Sequence, residues 1–336
     1  MKLRNKLKTH RSFLLHGLLP FLLFSISPAL TAEEDTSEQA RQLINEMSKA
    51  GRELNYDGTF VYRRGNRMDT MRLIHKYDDE GEHERMYALT GIAREVIRDD
   101  KSVTCIFPDN QKVMVEKSRP RKFLTTKLPE PIEKIADYYS FSITGKDRVA
   151  GRSTWMINIT PNDDFRYGYQ LWVDEDSKLL MKSEIKDGSG WPVEQILFTQ
   201  LDIVKDIPAQ LLKPAISGKD YTWYDRATTE LPVQSSNSVW TVMKMPAGFS
   251  MTDFEKQQAS VANQMPVEHM IYSDGLAMVS VFIEKVNSKP EQMRGASRMG
   301  GVNAFATIAN GYQITAVGEV PQKTVQLMAN SVIEGQ

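Results

Sequence analysis

Residues 58–63 (GTFVYR), 69–77 (DTMRLIHKY) and 83–89 (HERMYAL) alternate apolar and polar positions and are rich in β-branched and aromatic side chains. Such runs suit a pleated, half-buried surface. Arg64-Gly65-Asn66 and Asp78-Asp79-Glu80-Gly81 stand between them, and glycine and asparagine tolerate the positive φ that tight turns require. The three runs predict an antiparallel meander. The pattern continues at 94–98, 102–107 and 112–116, then breaks across the proline-bearing stretch 120–131. Pro131 suits the first turn of a helix over 132–139. Strand-like runs resume at 141–144, 153–160, 167–173, 178–186 and 193–204, the last long enough for a strongly curved strand.

Upstream, Ala40, Leu43, Ile44, Met47 and Ala50 recur at helical spacing. They predict an amphipathic helix over 36–54, capped by Ser37 and ending near Gly51. Residues 33–212 thus hold a helix, about ten antiparallel strands and one internal helix. A sheet of that size curls or closes. A linker follows over 213–238, with Pro214, Pro232 and the run Ser235-Ser236-Asn237-Ser238. Its aromatics Tyr221, Trp223 and Tyr224 either pack the linker onto the first domain or form a contact surface for a partner.

Residues 239–336 read as a second, smaller domain. A strand over 239–245 opens it, and 251–261 reads as a short helix or an irregular segment. Hairpins form around Asp274-Gly275 and Asn310-Gly311, both turn dipeptides of paired strands. The stretch 287–301 (NSKPEQMRGASRMGG) shows no apolar period and reads as a mobile basic loop. A helix over 322–333, opened by Pro321, closes the chain. The expected class is α+β, mostly β.

Residues 1–32 change the picture of where the chain works. Lys2, Arg4, Lys6, Lys8 and Arg11 precede an apolar stretch over 13–26, and Ala29-Leu30-Thr31-Ala32 comes before three acids. This is the pattern of a secretory signal peptide with a cut after Ala32. Without those five basic residues, acids outnumber bases, which argues against nucleic acid as a partner. Cys105 is the single cysteine, so no intrachain disulfide forms, and in a strand-like run it reads as a small buried hydrophobe.

Local catalytic and metal motifs do not stand out. His75 and His83 could approach across the second hairpin, but two imidazoles need further ligands to hold zinc. Asp187-Gly188-Ser189-Gly190 reads as a hairpin turn, not a nucleophile elbow. No dinucleotide or phosphate-loop fingerprint occurs, so no cofactor is implied and binding is favoured over catalysis. The candidate binding groups are the basic clusters Arg63, Arg64 and Arg67, Arg119, Arg121 and Lys122, and Arg294 and Arg298, with Trp223 and Tyr224. Arginine clusters suit anionic headgroups or an acidic partner segment.

The run Tyr56-x-Gly58-Thr59-Phe60-Val61-Tyr62, with Gly81-Glu82-His83-Glu84-Arg85 and Arg94-Glu95-Val96-Ile97-Arg98, resembles the RseB/MucB family, periplasmic regulators of the sigma-E and AlgU-type envelope stress factors. The resemblance extends to Tyr272-Ser273-Asp274-Gly275-Leu276-Ala277, Gly301-Val302-Asn303-Ala304 and residues 311–321 (GYQITAVGEVP). It implies a first domain built as a LolA/LppX-like curled half-barrel with an apolar cleft. It also implies a non-catalytic negative regulator that binds the periplasmic domain of an RseA/MucA-type anti-sigma factor and shields it from the site-1 protease. Lipopolysaccharide or a related lipid would release it. A periplasmic lipid or lipoprotein carrier using the same cleft is the alternative, and self-association stays open.

Overall fold

The computed structural model describes residues 29–118, 128–129, 131–216, 219–225, 238–257, 267–286 and 294–335. Helix α1 (Ala29–Glu53) leads into β1 (Tyr56–Arg64), β2 (Arg67–Asp78), β3 (Gly81–Ala88), β4 (Glu95–Arg98), β5 (Ser102–Phe107) and β6 (Lys112–Lys117). After the 3-10 turn Ile132–Ile135 come β7 (Tyr139–Val149), β8 (Arg152–Pro161), β9 (Gly168–Asp174), β10 (Leu180–Lys186), β11 (Pro192–Ile203) and β12 (Thr222–Asp225). The remainder is β13 (Trp240–Val242), β14 (Ser250–Gln257), β15 (Val267–Ser273), β16 (Met278–Lys285), β17 (Gly295–Met299), β18 (Val302–Ala309), β19 (Tyr312–Gly318), α2 (Gln322–Ala329) and β20 (Val332–Glu334). The architecture is mixed α+β and mostly β.

Among the described residues the strands form three sheets. The largest has twelve strands in the order β12-β6-β5-β4-β3-β2-β1-β11-β10-β9-β8-β7. The expected meander lies at its centre. β1 shows strict alternation, with Tyr56, Gly58, Phe60 and Tyr62 inward. Beside Gly58 the side chains of Leu201 and Phe198 stand so close that an added Cβ would fall 2.7 Å from Leu201, so only glycine fits. The β1–β11 and β7–β8 ladders each carry a bulge, which bends a strand and increases its twist.

Helix α1 lies on the inward face. Ala40, Ile44 and Met47 pack against Ile132, Ile135, Tyr139 and Ile157 in one apolar cluster. Ser37, expected to cap the helix, lies inside it, while Gly51 falls in its last turn, near the expected end. The phenol of Tyr56 donates to Gly51 O (3.2 Å) and fixes the turn into β1.

Several expectations are corrected. The segment opened by Pro131 is one 3-10 turn, and Tyr139 already belongs to β7. Residues 251–257 are strand, not helix: β14 is an edge strand with a bulge after Met251, so its side chains need not alternate. The supposed loop 287–301 contains β17, another edge strand whose side chains are largely exposed. An exposed edge needs no apolar period, which is why none shows in the sequence. The linker supplies β12, which pairs in parallel with β6. The last helix stops at Ala329, and the following residues return as β20 against β13.

The six-stranded sheet, order β14-β15-β16-β19-β18-β17, packs one face on α2. Val325, Met328 and Ala329 meet Met270, Val281 and Ala316 there. The β18–β19 turn has Asn310 at φ 52° and Gly311 at φ 79°, the backbone a two-residue hairpin of this kind requires.

Candidate functional site at the joint of the two sheets

The antiparallel order of the large sheet puts the connections 64–67, 89–94, 162–167 and 187–191 at one end. The smaller sheet docks on part of that end, and buried polar groups make the joint. Arg166 is 2% exposed. Its Nε donates to Asp274 Oδ2 (2.6 Å), and its other nitrogens reach Asp163 and Ala247 O. The Tyr139 hydroxyl donates to the same Asp274 oxygen (3.0 Å). Asp274 Oδ1 accepts the backbone N–H groups of Leu276 (2.9 Å) and Ala277 (2.7 Å). Every acceptor site of this buried carboxylate is thus used, as a buried charge requires.

The guanidinium also lies 5.0 Å from the Tyr138 ring centroid and 5.3 Å from that of Phe249. Burial opposes its charge, but the hydrogen bond and charge of Asp274 outweigh that and raise the Arg166 pKa. Burial, then the Asp274 charge, pushes the Tyr139 phenol far above its ordinary value.

A second set of bonds flanks this pair. Asn303 Nδ2 donates to Tyr167 Oη (2.8 Å), and Thr324 Oγ1 donates to Phe165 O (2.6 Å). Glu194 accepts Tyr62 Oη (2.6 Å) on one oxygen and Gly301 N (3.0 Å) on the other. Burial and this carboxylate raise the Tyr62 pKa. Gly300, at φ +64°, lies directly against the Arg64 stem. Sequence reading missed Arg166 and Asp274, which look like ordinary turn residues; the one signal was Arg166 lying between Phe165 and Tyr167 in a polar stretch.

Two of the predicted basic clusters meet here. Arg63 Nη2 donates to Pro192 O (3.1 Å), and Arg64 stands opposite Glu194 on β11. Arg67 is exposed at the hairpin. Arg298 donates to Gly300 O (2.9 Å). It lies close enough to help lower the Asp187 pKa, after the hydrogen bond from Ser189. Arg294 is exposed just before β17. Arg119, Arg121 and Lys122 lie outside the described residues. Trp223 and Tyr224 are apart from these groups, on β12 at the far edge, with four strands between them and β2.

That edge ends a second feature. Register places Leu73, Met86, Val96, Cys105, Met114 and Tyr224 directly opposite one another across β2, β3, β4, β5, β6 and β12. Directly paired residues project to one side, here the side of α1, whose Ala50 packs on the cluster holding Leu73 and Met86. The row passes from buried Leu73 to Tyr224, 46% exposed. Cys105 is half-buried, not the fully buried hydrophobe expected, and burial raises its thiol pKa, which disfavours the reactive thiolate.

The two-histidine idea fails on register. His75 pairs with Glu84 and His83 with Lys76, so the imidazoles point to opposite faces. His75 stacks on Tyr56 (4.7 Å between centroids) with Nδ1 2.8 Å from Leu54 O. Among the described residues no group of His, Cys, Asp and Glu is arranged to hold a metal ion.

Comparison with known proteins gives a match over nearly all of the chain. The model of the MucB/RseB N-terminal domain matches residues 39–216, and that of the MucB/RseB C-terminal domain matches 234–333. The sigma factor AlgU regulatory protein MucB of Pseudomonas aeruginosa is 30% identical over 320 residues, 93% of this chain and 96% of that protein. The sigma-E factor regulatory protein RseB of Haemophilus influenzae is 27% identical over 318 residues, 94% of this chain and 98% of that protein. The crystal structure of MucB in complex with MucA(peri) superposes with a TM-score of 0.68 at 27% identity, covering 88% of this chain and 99% of that one.

Proposed function

The chain belongs to the MucB/RseB family, and on that premise we propose that it is a periplasmic regulator that binds the periplasmic domain of a membrane anti-sigma factor. Bound there, it shields the anti-sigma factor from the site-1 protease and keeps sigma-E-type activity low. Lipopolysaccharide or a related lipid releases it. Residues 33–212 and 239–336 act as two domains, and the anti-sigma segment lies across both. The observation that carries this reading is the end-to-end similarity to MucB, including MucB in its complex with MucA(peri).

The large sheet is read as a curled half-barrel of LolA/LppX type, with α1 roofing part of an apolar cleft. The bulged ladders and the row from Leu73 to Tyr224 support that reading. An acyl chain would lie along the open half of the row, over Cys105 and Met114. Release then follows from linkage: lipid and anti-sigma segment favour different states of one protein, so each weakens the other.

The test is capture of the purified chain by the periplasmic segment of the host's anti-sigma factor, with and without lipopolysaccharide. Capture that lipid competes away is the expected result. Lipid binding with no capture would overturn the regulator reading in favour of a lipid carrier, with the fold shared and the function different.

A further inference from the structure

The rim beside the joint carries large apolar side chains at the tips of separate connections, three at the large sheet's end and one at the β17–β18 turn of the smaller sheet. Trp191 is 74% exposed, Ile92 70%, Met68 65% and Met299 55%. They lie together: Leu89 N donates to Thr70 O (2.7 Å), tying the loop of Ile92 to β2 beside Met68. The bond from Arg63 Nη2 to Pro192 O ties Met68's partner strand to the residue after Trp191. Gly300, next to Met299, rests on Arg64.

Arginines are interleaved with these tips: Arg63, Arg64, Arg67 and Arg298. The neighbouring acids are buried or half-buried. Asp187 accepts from Ser189 and Trp191 N within its own turn, Glu194 is buried between Tyr62 and Gly301, and Asp69 and Glu319 are half-buried. Arg67 and Arg298 are exposed while none of these acids is, so the solvent-facing charge of this rim is basic, on a chain with 42 Lys and Arg against 43 Asp and Glu.

We propose that this rim of hairpin tips docks the protein on an anionic bilayer surface, with Trp191, Met68, Ile92 and Met299 dipping among the headgroups and the arginines facing lipid phosphates. Tryptophan is at home at the bilayer interface, and basic residues are drawn to an anionic leaflet. A folded partner would need a continuous complementary face. Separate protruding tips, each beside an arginine, suit a fluid surface that closes around each one. The site is distinct from the acyl cleft and does not depend on the regulator reading.

The experiment is sedimentation of the purified chain with mixed phosphatidylglycerol–phosphatidylcholine vesicles and with pure phosphatidylcholine vesicles, at low and high salt. Binding is expected only to the mixed vesicles and is lost at high salt. Arg67→Ser should weaken it about five-fold, and Trp191→Ser about ten-fold. Met68→Ser serves as an independent variant at an exposed position. Brominated acyl chains should quench the wild type more than Trp191→Phe. Failure to bind mixed vesicles, or binding unchanged in all three serine variants, overturns the proposal. So does a loss of anti-sigma capture in these variants with vesicle binding intact, which would make the rim a protein interface.

Discussion

Replacing Arg166 by methionine tests whether the joint is held by its buried ion pair. Methionine keeps much of the apolar volume between Tyr138 and Phe249 but removes the charge. Asp274 would then stay buried with three donors, the N–H groups of Leu276 and Ala277 and the Tyr139 hydroxyl, and no cation. Removing one partner of a buried pair costs about 3–5 kcal/mol. Because the carboxylate keeps those donors, the lower end, about 3 kcal/mol, is expected. With a urea dependence of about 1–3 kcal/mol per molar, the unfolding midpoint should fall by about 1 M or more. Asp274→Asn keeps the turn acceptor but leaves Arg166 with Asp163 as its one carboxylate, beside Ala247 O. The double variant should cost less than the sum of the two, by about 0.5–3 kcal/mol, because it no longer leaves a lone buried charge. Urea titrations followed by fluorescence, with small-angle scattering in native buffer, measure both. An unchanged midpoint and radius in Arg166→Met, or strictly additive costs, would refute the reasoning.

The remaining predictions concern the same groups and the cleft. Tyr62 and Tyr139 have pKa values raised above the ordinary 10.0; the folded state therefore holds protons the unfolded chain releases, and stability should be full below about pH 10 and fall as pH rises beyond it. Tyr139→Phe should flatten that fall in a pH series of melting temperatures. Gly248 sits at φ +84° against the Tyr138 ring, so Gly248→Ala should destabilise the chain by about 1–2 kcal/mol or more in urea titrations. Cys105 should react slowly with maleimide at neutral pH, and more slowly still once an acyl chain fills the row; labelling unaffected by bound lipid would count against the cleft.

What the sequence made legible was local. The meander showed because β1 to β3 alternate with a period of two and are punctuated by turn residues, and Asn310-Gly311 announced its hairpin through backbone chemistry that few other dipeptides satisfy. The edge strands β12, β14 and β17 stayed hidden for a physical reason: a strand with one neighbour and largely exposed side chains has little burial pattern to write, and in β14 a bulge also breaks the alternation although Phe254 packs on the core. The joint was hidden for another. Asp274 does read correctly as a turn residue, since its Oδ1 closes the β15–β16 connection. Its second oxygen is what anchors Arg166, 108 residues away. A carboxylate has acceptor sites to serve both tasks, so its local role masks its long-range one. The basic clusters follow the same logic. Arg64 and Arg298 are unremarkable in their own segments, and they become one surface only because the Gly300 turn is small enough to settle on the Arg64 stem.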